Sequence, residues 1–516
     1  MVKLMESRNY FCTWNIQNFG RPDARLEKSA DVFLGQDGAR KARSYLSEES
    51  VFQSGGLADQ YEEIRDTLYF LLDDGWDVPY GVHPDTQIAE FGSLILATDR
   101  FPSFQGTPAE RLKKINEAFQ KKGWKGAGLW VAAQAQGEHP DVKFLTTEES
   151  EAYWGERIRW CKEAGVEYWK VDWGCRQFEP AWREMINRLR DEIMPSLHIE
   201  HCHPAAAPVN HVVFEDGKQI SDGRFKNWGE YPEKWAAIME SSEIFRSYDV
   251  LPQFSQASTV DRLATLMTIR PNAATIINCE DEVYLGAVLG CSLGIMRSDL
   301  CKEIPVYHFD PQNNSHRVNE VVRASNWQRI APPIPIKDAK TQYSEDTVRE
   351  MFTYRSGETW MKEYIGCQIY QACPSVIARG MDIPEIHYYE DIKPIVAAAT
   401  HPNGAVSVTT LARSYERNVY KTPKAGIVLQ NIQLDSPVGI FGHWVDVQLS
   451  AVEDLQSKRV WLRDLVGTEF VDITEYVDIT GNKLCLTLSR LEQFIGNGNR
   501  AEDVSDPGFV IYIKNC

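Results

Sequence analysis

The run Tyr168-Trp169-Lys170-Val171-Asp172-Trp173-Gly174 constrains this chain more than any other. Aromatic and β-branched residues lead straight into Lys-x-Asp, and Gly174 then breaks the strand. A strand apolar on both faces is a buried, parallel one. When it ends on charged groups, its tip carries chemistry. In a barrel of alternating strands and helices, catalytic groups sit at the C-terminal strand ends. Phe245-Arg246-Ser247-Tyr248-Asp249-Val250 ends another apolar stretch the same way. Two strand-end carboxylates, each a short step after a cation, point to two-carboxylate hydrolysis.

The chain has 516 residues, enough for a large core and more than one domain. Its net charge of −18 makes it a poor partner for nucleic acid, which is held by Lys and Arg on phosphates. The same charge argues against anionic membrane surfaces, and no run of about 18 apolar residues predicts a membrane-spanning helix. Met1 to Arg8 is charged and no apolar segment follows, so no secretory leader is expected. A cytoplasmic location is expected, although a secreted protein that has lost its leader fits the same chain. The 11 cysteines are scattered, with no C-x-x-C, and Cys12, Cys202, Cys279 and Cys291 fall in apolar runs. They read as buried free thiols rather than a disulfide framework.

Strand-like segments recur at Tyr10–Trp14, Thr67–Asp73, Gly128–Ala133, Tyr168–Asp172, His198–Cys202, Ile244–Asp249, Thr275–Cys279 and Leu293–Arg297. Helical patterns lie between them, for example Ala109–Lys122, Thr147–Glu163 and Pro180–Glu192. Eight such alternations predict an α/β fold, a (β/α)8 TIM barrel. After about Tyr389 the pattern changes to short alternating segments: Val406-Ser407-Val408-Thr409, Gly426-Ile427-Val428-Leu429, Val460-Trp461-Leu462 and Phe509-Val510-Ile511-Tyr512. Turns such as Pro402-Asn403-Gly404 separate them, which predicts a C-terminal antiparallel β-sandwich. The expected domains are a barrel over 1–390 and a sandwich over 391–516. Pro311 to Lys340, rich in Pro and Asn and containing Trp327, reads as a long functional loop.

The order of these motifs resembles the α-galactosidase clan of retaining glycosidases, chiefly glycoside hydrolase families 27 and 36. The resemblance implies that Asp172 is the nucleophile and Asp249 the acid/base, with Lys170 and Arg246 as sugar contacts. Leu71-Leu72-Asp73-Asp74-Gly75-Trp76 resembles the second-strand pair, Asp73 and Asp74, that binds the sugar 4- and 6-hydroxyls. Gly128-Leu129-Trp130 matches the third strand, where Trp130 lines the pocket. His198-Ile199-Glu200-His201-Cys202 matches the fifth, with Glu200 near the 2-substituent. Leu293 to Leu300 resembles the eighth. The chain departs from the family at four places, one of them His201-Cys202-His203-Pro204 after Glu200. Thr13-Trp14-Asn15-Ile16-Gln17 carries Gln17 where a second aromatic wall is usual. Asn278-Cys279-Glu280-Asp281-Glu282 replaces Asp-Pro-Asp after the seventh strand. Arg246 and Asp249 are three positions apart rather than four. These departures concern the sugar rather than the reaction.

The residue chemistry supports the same roles. Displacement at an anomeric carbon needs one ionised carboxylate and one protonated carboxyl, roughly 5–5.5 Å apart for retention. Lys170 favours an ionised Asp172. Phe245, Tyr248, Val250 and Leu251 surround Asp249 with apolar groups that favour its protonated form. Arg246 offers a planar fork for sugar oxygens, Glu280 is within reach of a sugar hydroxyl, and Trp14, Trp76, Trp130 and Trp173 at strand ends offer ring faces. The expected partner is a carbohydrate whose terminal sugar is galactose, N-acetylgalactosamine or β-L-arabinopyranose. No cofactor and no metal are expected: His201 and His203 flank Cys202 without a second ligand cluster. A transglycosylase using the same glycosyl-enzyme, a Schiff-base aldolase using Lys170, and a non-catalytic carbohydrate-binding protein remain open, as does the choice between monomer and homo-oligomer.

Overall fold

The computed structural model describes residues 6–23, 36–83, 86–202, 211–215, 218–221, 232–246, 256–269, 275–279, 282–301, 317–353, 368–415, 419–496, 500 and 502–515. Eight strands close into a barrel: β1 (Tyr10–Cys12), β2 (Tyr69–Leu72), β3 (Gly126–Val131), β4 (Tyr168–Val171), β5 (His198–His201), β6 (Ile244–Arg246), β7 (Thr275–Cys279) and β8 (Ser292–Ile295). Each pairs in parallel with the next, and β8 pairs with β1 to close the ring. The expected TIM barrel is therefore present, with each strand close to its predicted place. β1 stops at Cys12 rather than Trp14, because Trp14 opens a helix.

The helices are α1 (Trp14–Phe19), α2 (Gln36–Tyr45), α3 (Glu48–Phe52), α4 (Pro108–Lys121), α5 (Thr147–Ala164), α6 (Pro180–Ile193), α7 (Pro232–Ser241), α8 (Gln256–Ile269), α9 (Val283–Val288) and α10 (Val318–Ile330). The starts of α4 and α5 are written in the sequence. Thr107 with Glu110, and Thr146 with Glu149, form reciprocal capping boxes. Helix α5 ends where Gly165 turns left-handed at φ 69°.

The loop expected over 311–340 is corrected: its centre is α10, and Trp327 is fully buried. Val318, Val321 and Val322 follow a helical period, and Trp327 lies on the opposite side of a helix buried nearly all round. Only the flanking Pro and Asn residues suggested a loop. The first amides of α10 are capped from far along the chain: Asn319 N–H donates to Asp503 Oδ2 (3.0 Å) and Glu320 N–H to Ser505 Oγ (3.1 Å).

The C-terminal part holds two stacked sheets. One runs in the order Thr341–Tyr343, Val376–Arg379, Ile395–Thr400, Val406–Leu411, Val438–Phe441, Gly508–Asn515, Lys458–Asp464, Val471–Asp472. The other runs Glu385–Tyr388, Ala425–Ile432, Trp444–Ala451, Lys483–Thr487, Asp478–Thr480. Val408, Ile427, Ile440, Leu449, Leu486 and Ile511 fill the layer between them. This is the expected sandwich, mostly antiparallel, with parallel pairs where 376–379 meets 395–400, 406–411 meets 438–441, and 425–432 meets 444–451. Strands 341–343 and 376–379 belong to it, so the boundary expected at 390 falls inside the first sheet. A further sheet joins Thr347–Thr353 and Gln368–Pro374 to His211–Glu215 and Lys218–Ser221, inserted between β5 and α7.

Barrel and sandwich share a tight seam. Arg323 on α10 grips Asp464 with Nε and Nη2, both at 2.9 Å, and donates to the Asp506 carbonyl at 2.9 Å. Trp327 lies on Gly439, where an added Cβ would come within 2.8 Å of the indole ring. Gly439→Ala is expected to destabilise the protein by about 1–3 kcal/mol through overpacking. Trp327→Leu should cost more alone, yet the double variant should lose less than the sum of the two. Urea unfolding of the three variants measures this, and strict additivity would show that the indole does not press on residue 439.

Candidate active site

Alternation along β4 sorts its side chains. Trp169 and Val171 point out toward the helices: the Trp169 ring lies 6.1 Å from Trp154 on α5, and its Nε1 donates to Cys161 Sγ at 3.2 Å. Tyr168, Lys170 and Asp172 therefore point into the barrel, at rising levels. Along the ladder Lys170 aligns with Trp130 on β3 and with Glu200 on β5.

The lowest level is aromatic. Tyr10, Tyr69 and Tyr168 pack ring to ring at 5.3–5.4 Å. Above it Glu200, wholly buried, accepts from Tyr168 Oη (2.9 Å), Tyr10 Oη (3.3 Å) and Arg246 Nε (2.8 Å). Arg246 also donates to the Tyr10 hydroxyl. Glu200 and Arg246 thus form a buried ion pair beneath the mouth.

The top level holds the strand-end carboxylates. Lys170 Nζ lies 2.8 Å from Asp73 Oδ2 and 3.7 Å from Asp172 Oδ2. Asp73 also accepts from Cys12 Sγ (3.0 Å) and the Asp74 amide (2.8 Å). Burial pushes the Asp73 carboxyl up, but Lys170 and the hydrogen bonds outweigh it and hold it below its usual range. Burial and Arg246 pull Lys170 down, and Asp73, Cys12 and Asp172 more than reverse this, so it remains an ammonium ion. A charged lysine cannot attack a carbonyl, which weighs against Schiff-base chemistry. Asp172 accepts from Trp130 Nε1 at 3.1 Å through the same Oδ2. Among the described residues nothing bonds its Oδ1.

Arg43 on α2 was not foreseen. Its Nε and Nη2 take both oxygens of Asp74, at 2.8 and 2.5 Å, and its guanidinium lies 5.1 Å from the Phe91 ring. Burial outweighs Arg43, with Asp73 and Asp172 adding to it, and raises the Asp74 carboxyl. No local signal in Gly38-Ala39-Arg40-Lys41-Ala42-Arg43 distinguishes the arginine that turns inward. Gln17 is wholly buried: it accepts from Thr13 Oγ1 (2.6 Å) and donates to the Asp74 carbonyl (3.0 Å), tying α1 to the end of β2. Trp76 is also buried and donates to the Trp130 carbonyl at 2.8 Å. Trp14 is half-buried at the start of α1. Trp173 packs between Trp130 (5.3 Å) and Phe91 (5.1 Å), tilted against both rings. Gly174 follows because a Cβ there would lie 2.6 Å from the Ala133 carbonyl. Asp249, Glu280 and His203 lie outside the described residues. The structure thus gathers Asp73, Asp74, Trp130, Lys170, Asp172, Glu200 and Arg246 on adjacent strands.

No protein-family model and no curated relative matches the chain. Solved structures similar to it include a family 27 β-L-arabinopyranosidase from Geobacillus stearothermophilus in complex with arabinose, at 11% identity and a TM-score of 0.40, covering 100% of this chain and 98% of that one. A provisionally assigned α-galactosidase/melibiase from Bacteroides fragilis shares 14% identity over 99% and 80%, at a TM-score of 0.39. A maltogenic α-amylase from Thermotoga neapolitana shares 9% over 93% and 96%, also at 0.39. Values of this size decide nothing about the reaction. The architecture rests on the chain's own strand order.

Next to the site, Asp77 is buried, accepting from the Leu94 amide at 3.1 Å, with Oδ1 unbonded. Burial pushes its carboxyl up to about 7. Folding therefore favours the protonated form. That stability is complete below the unfolded pKa of about 3.9 and is lost as pH rises toward 7. Asp77→Asn should open a melting-temperature advantage over the wild type that grows from pH 4 to pH 7 and then levels off. Calorimetry across that range checks this, and a pH-independent difference would show that Asp77 does not hold its proton in the folded state.

Proposed function

We propose that this protein is a retaining, exo-acting glycosidase that removes a terminal α-galactose-like sugar, with Asp172 as nucleophile and Asp249 as acid/base. One observation carries the reading: at the C-terminal end of β4, Asp172 has one oxygen held by Trp130 and Lys170 and the other uncommitted. A carboxylate held through one oxygen is oriented, and its second oxygen is available for attack at an anomeric carbon. The other three carboxylates described at this level and below are each engaged by a cation: Asp73 by Lys170, Asp74 by Arg43, Glu200 by Arg246.

In this reading Lys170 keeps Asp73 and Asp172 from repelling one another and leaves their outer faces to sugar hydroxyls. Asp74 recognises the sugar together with Arg43, as one unit carrying both donors and acceptors. The Glu200–Arg246 pair supports the pocket floor. Asp249 supplies the proton to the leaving oxygen and then accepts one from water. Galacto selectivity comes from Asp73 and the Asp74–Arg43 unit. An epimer that left these buried groups unpaired would be rejected strongly.

A panel of aryl α- and β-glycosides in galacto and gluco configuration, with the product anomer followed by proton NMR, tests the reading. Turnover of α-galactosides with retention is expected. No turnover of any glycoside would leave a sugar-binding protein. Asp172→Ala should lose at least about 10⁴-fold in kcat, with azide restoring turnover as a glycosyl azide of inverted configuration. Near-normal rate in that variant would remove Asp172 from the role. Asp249→Ala should lose most activity on sugar leaving groups but still react with a dinitrophenyl glycoside, which needs no acid. Equal losses for good and poor leaving groups would place the acid elsewhere.

A further inference from the structure

Behind the nucleophile stands a cation that the site does not use directly. Arg183, in the first turn of α6, is wholly buried. Its Nη1 donates to the Val171 carbonyl (3.1 Å) and to His201 Nδ1 (3.1 Å). Its Nη2 donates to the carbonyls of Asp172 (3.3 Å), Cys202 (3.2 Å) and Gln177 (3.1 Å), and its Nε to Gln177 (3.2 Å). Among the described residues no carboxylate bonds it. Burial pulls its pKa down to about 10, which still leaves it charged near neutrality. A buried guanidinium answered only by neutral acceptors is costly. Holding carbonyls together would not require a charge.

His201 fits the same arrangement. Arginine only donates, so Nδ1 of His201 accepts and Nε2 carries the proton, which goes to Asn187 Oδ1 at 2.9 Å. Asn187 lies one turn after Arg183 on α6. The helix therefore holds the tip of β5 in a fixed, neutral form, and through Arg183 it holds the tip of β4.

We propose that Arg183 is a positioning residue for Asp172: it fixes the backbone that aims the nucleophile and places a positive charge behind it. This rests on Asp172 being the nucleophile. Other charged and titratable groups face Asp172 too: Lys170 on its own strand, Asp73 and Asp74 after β2, Glu200 and Cys202 on and after β5, and Arg246 on β6. None of these bonds the Asp172 main chain.

The test is a double-mutant cycle on the full-length protein with a dinitrophenyl glycoside, using Arg183→Met, Arg183→Lys and Asp172→Ala with azide. Arg183→Met is expected to lower kcat by about 100-fold, the scale of a small misplacement, with KM changed by less than about threefold. The acidic limb of its kcat/KM profile should move to higher pH. Arg183→Lys, which keeps the charge, should return the limb to its wild-type place and recover about tenfold in kcat. In the azide-rescued Asp172→Ala background, Arg183→Lys should cost nothing further, because it acts through the missing carboxylate. Equal costs with and without Asp172, or an acidic limb that stays in place while rate and stability fall together, would overturn the proposal. If Arg183→Met fails to fold, the cost of Arg183→Lys with and without Asp172 decides by itself: a kcat loss confined to the Asp172 enzyme supports the proposal and an equal loss in both overturns it. An active Asp172→Ala enzyme is a different result: it overturns the nucleophile assignment and the positioning role together.

Discussion

The ion pair between Lys170 and Asp73 is the contact on which the mouth of this barrel depends. A barrel interior is ordinarily filled with hydrocarbon. Here, above a floor of tyrosines, it is filled with charge. Removing ions from water costs several kcal/mol each unless they are paired and hydrogen-bonded. The interior meets that demand by alternating sign around the strands. Lys170 sits between Asp73 and Asp172, Arg246 beside Glu200, and Arg43 on Asp74. Without Lys170, Asp73 and Asp172 would face each other as neighbouring like charges in a medium that screens them poorly. The cation is therefore as much a condition of the fold at this point as of any reaction.

This arrangement also explains why the site is rigid where it must be. Each carboxylate is held from more than one element. Asp73 is reached from β1, β4 and its own strand end, and Asp172 from β3 and β4, with α6 holding its main chain. Such convergence is what keeps catalytic groups within a fraction of an ångström of their working positions.

Much of this was legible in the chain. Strand ends carry the motifs, and period-two alternation by itself puts Tyr168, Lys170 and Asp172 on one face of their strand. Partnerships were not legible, because they join residues far apart in sequence. Arg43 lies on an amphipathic helix and looks like an ordinary surface arginine. Arg183, Asn187 and Arg190 recur at helical spacing and read as a solvated stripe, yet all three are buried against the ends of β4 and β5 and the start of β6. Polar residues on a buried helix face are the pattern that local hydrophobicity cannot reveal. The helix at Val318–Ile330 was hidden for a simpler reason: its neighbours carry loop residues while its own period is sound. The early strands of the sandwich were missed because they are short and separated by long connections.

The caps on α10 have a consequence for how the chain is made. This helix follows the last barrel strand, and its opening amides are satisfied by Asp503 and Ser505. The strand that follows those residues, Gly508–Asn515, lies inside its sheet between 438–441 and 458–464 rather than at an edge. On the ribosome, about 170 further residues, most of them sandwich, must therefore emerge before α10 can be capped. Until then the barrel keeps an uncapped helix and an open apolar seam around Trp327. The two halves are best regarded as one cooperative folding unit, in which a late segment of the sandwich completes the barrel that precedes it in the chain.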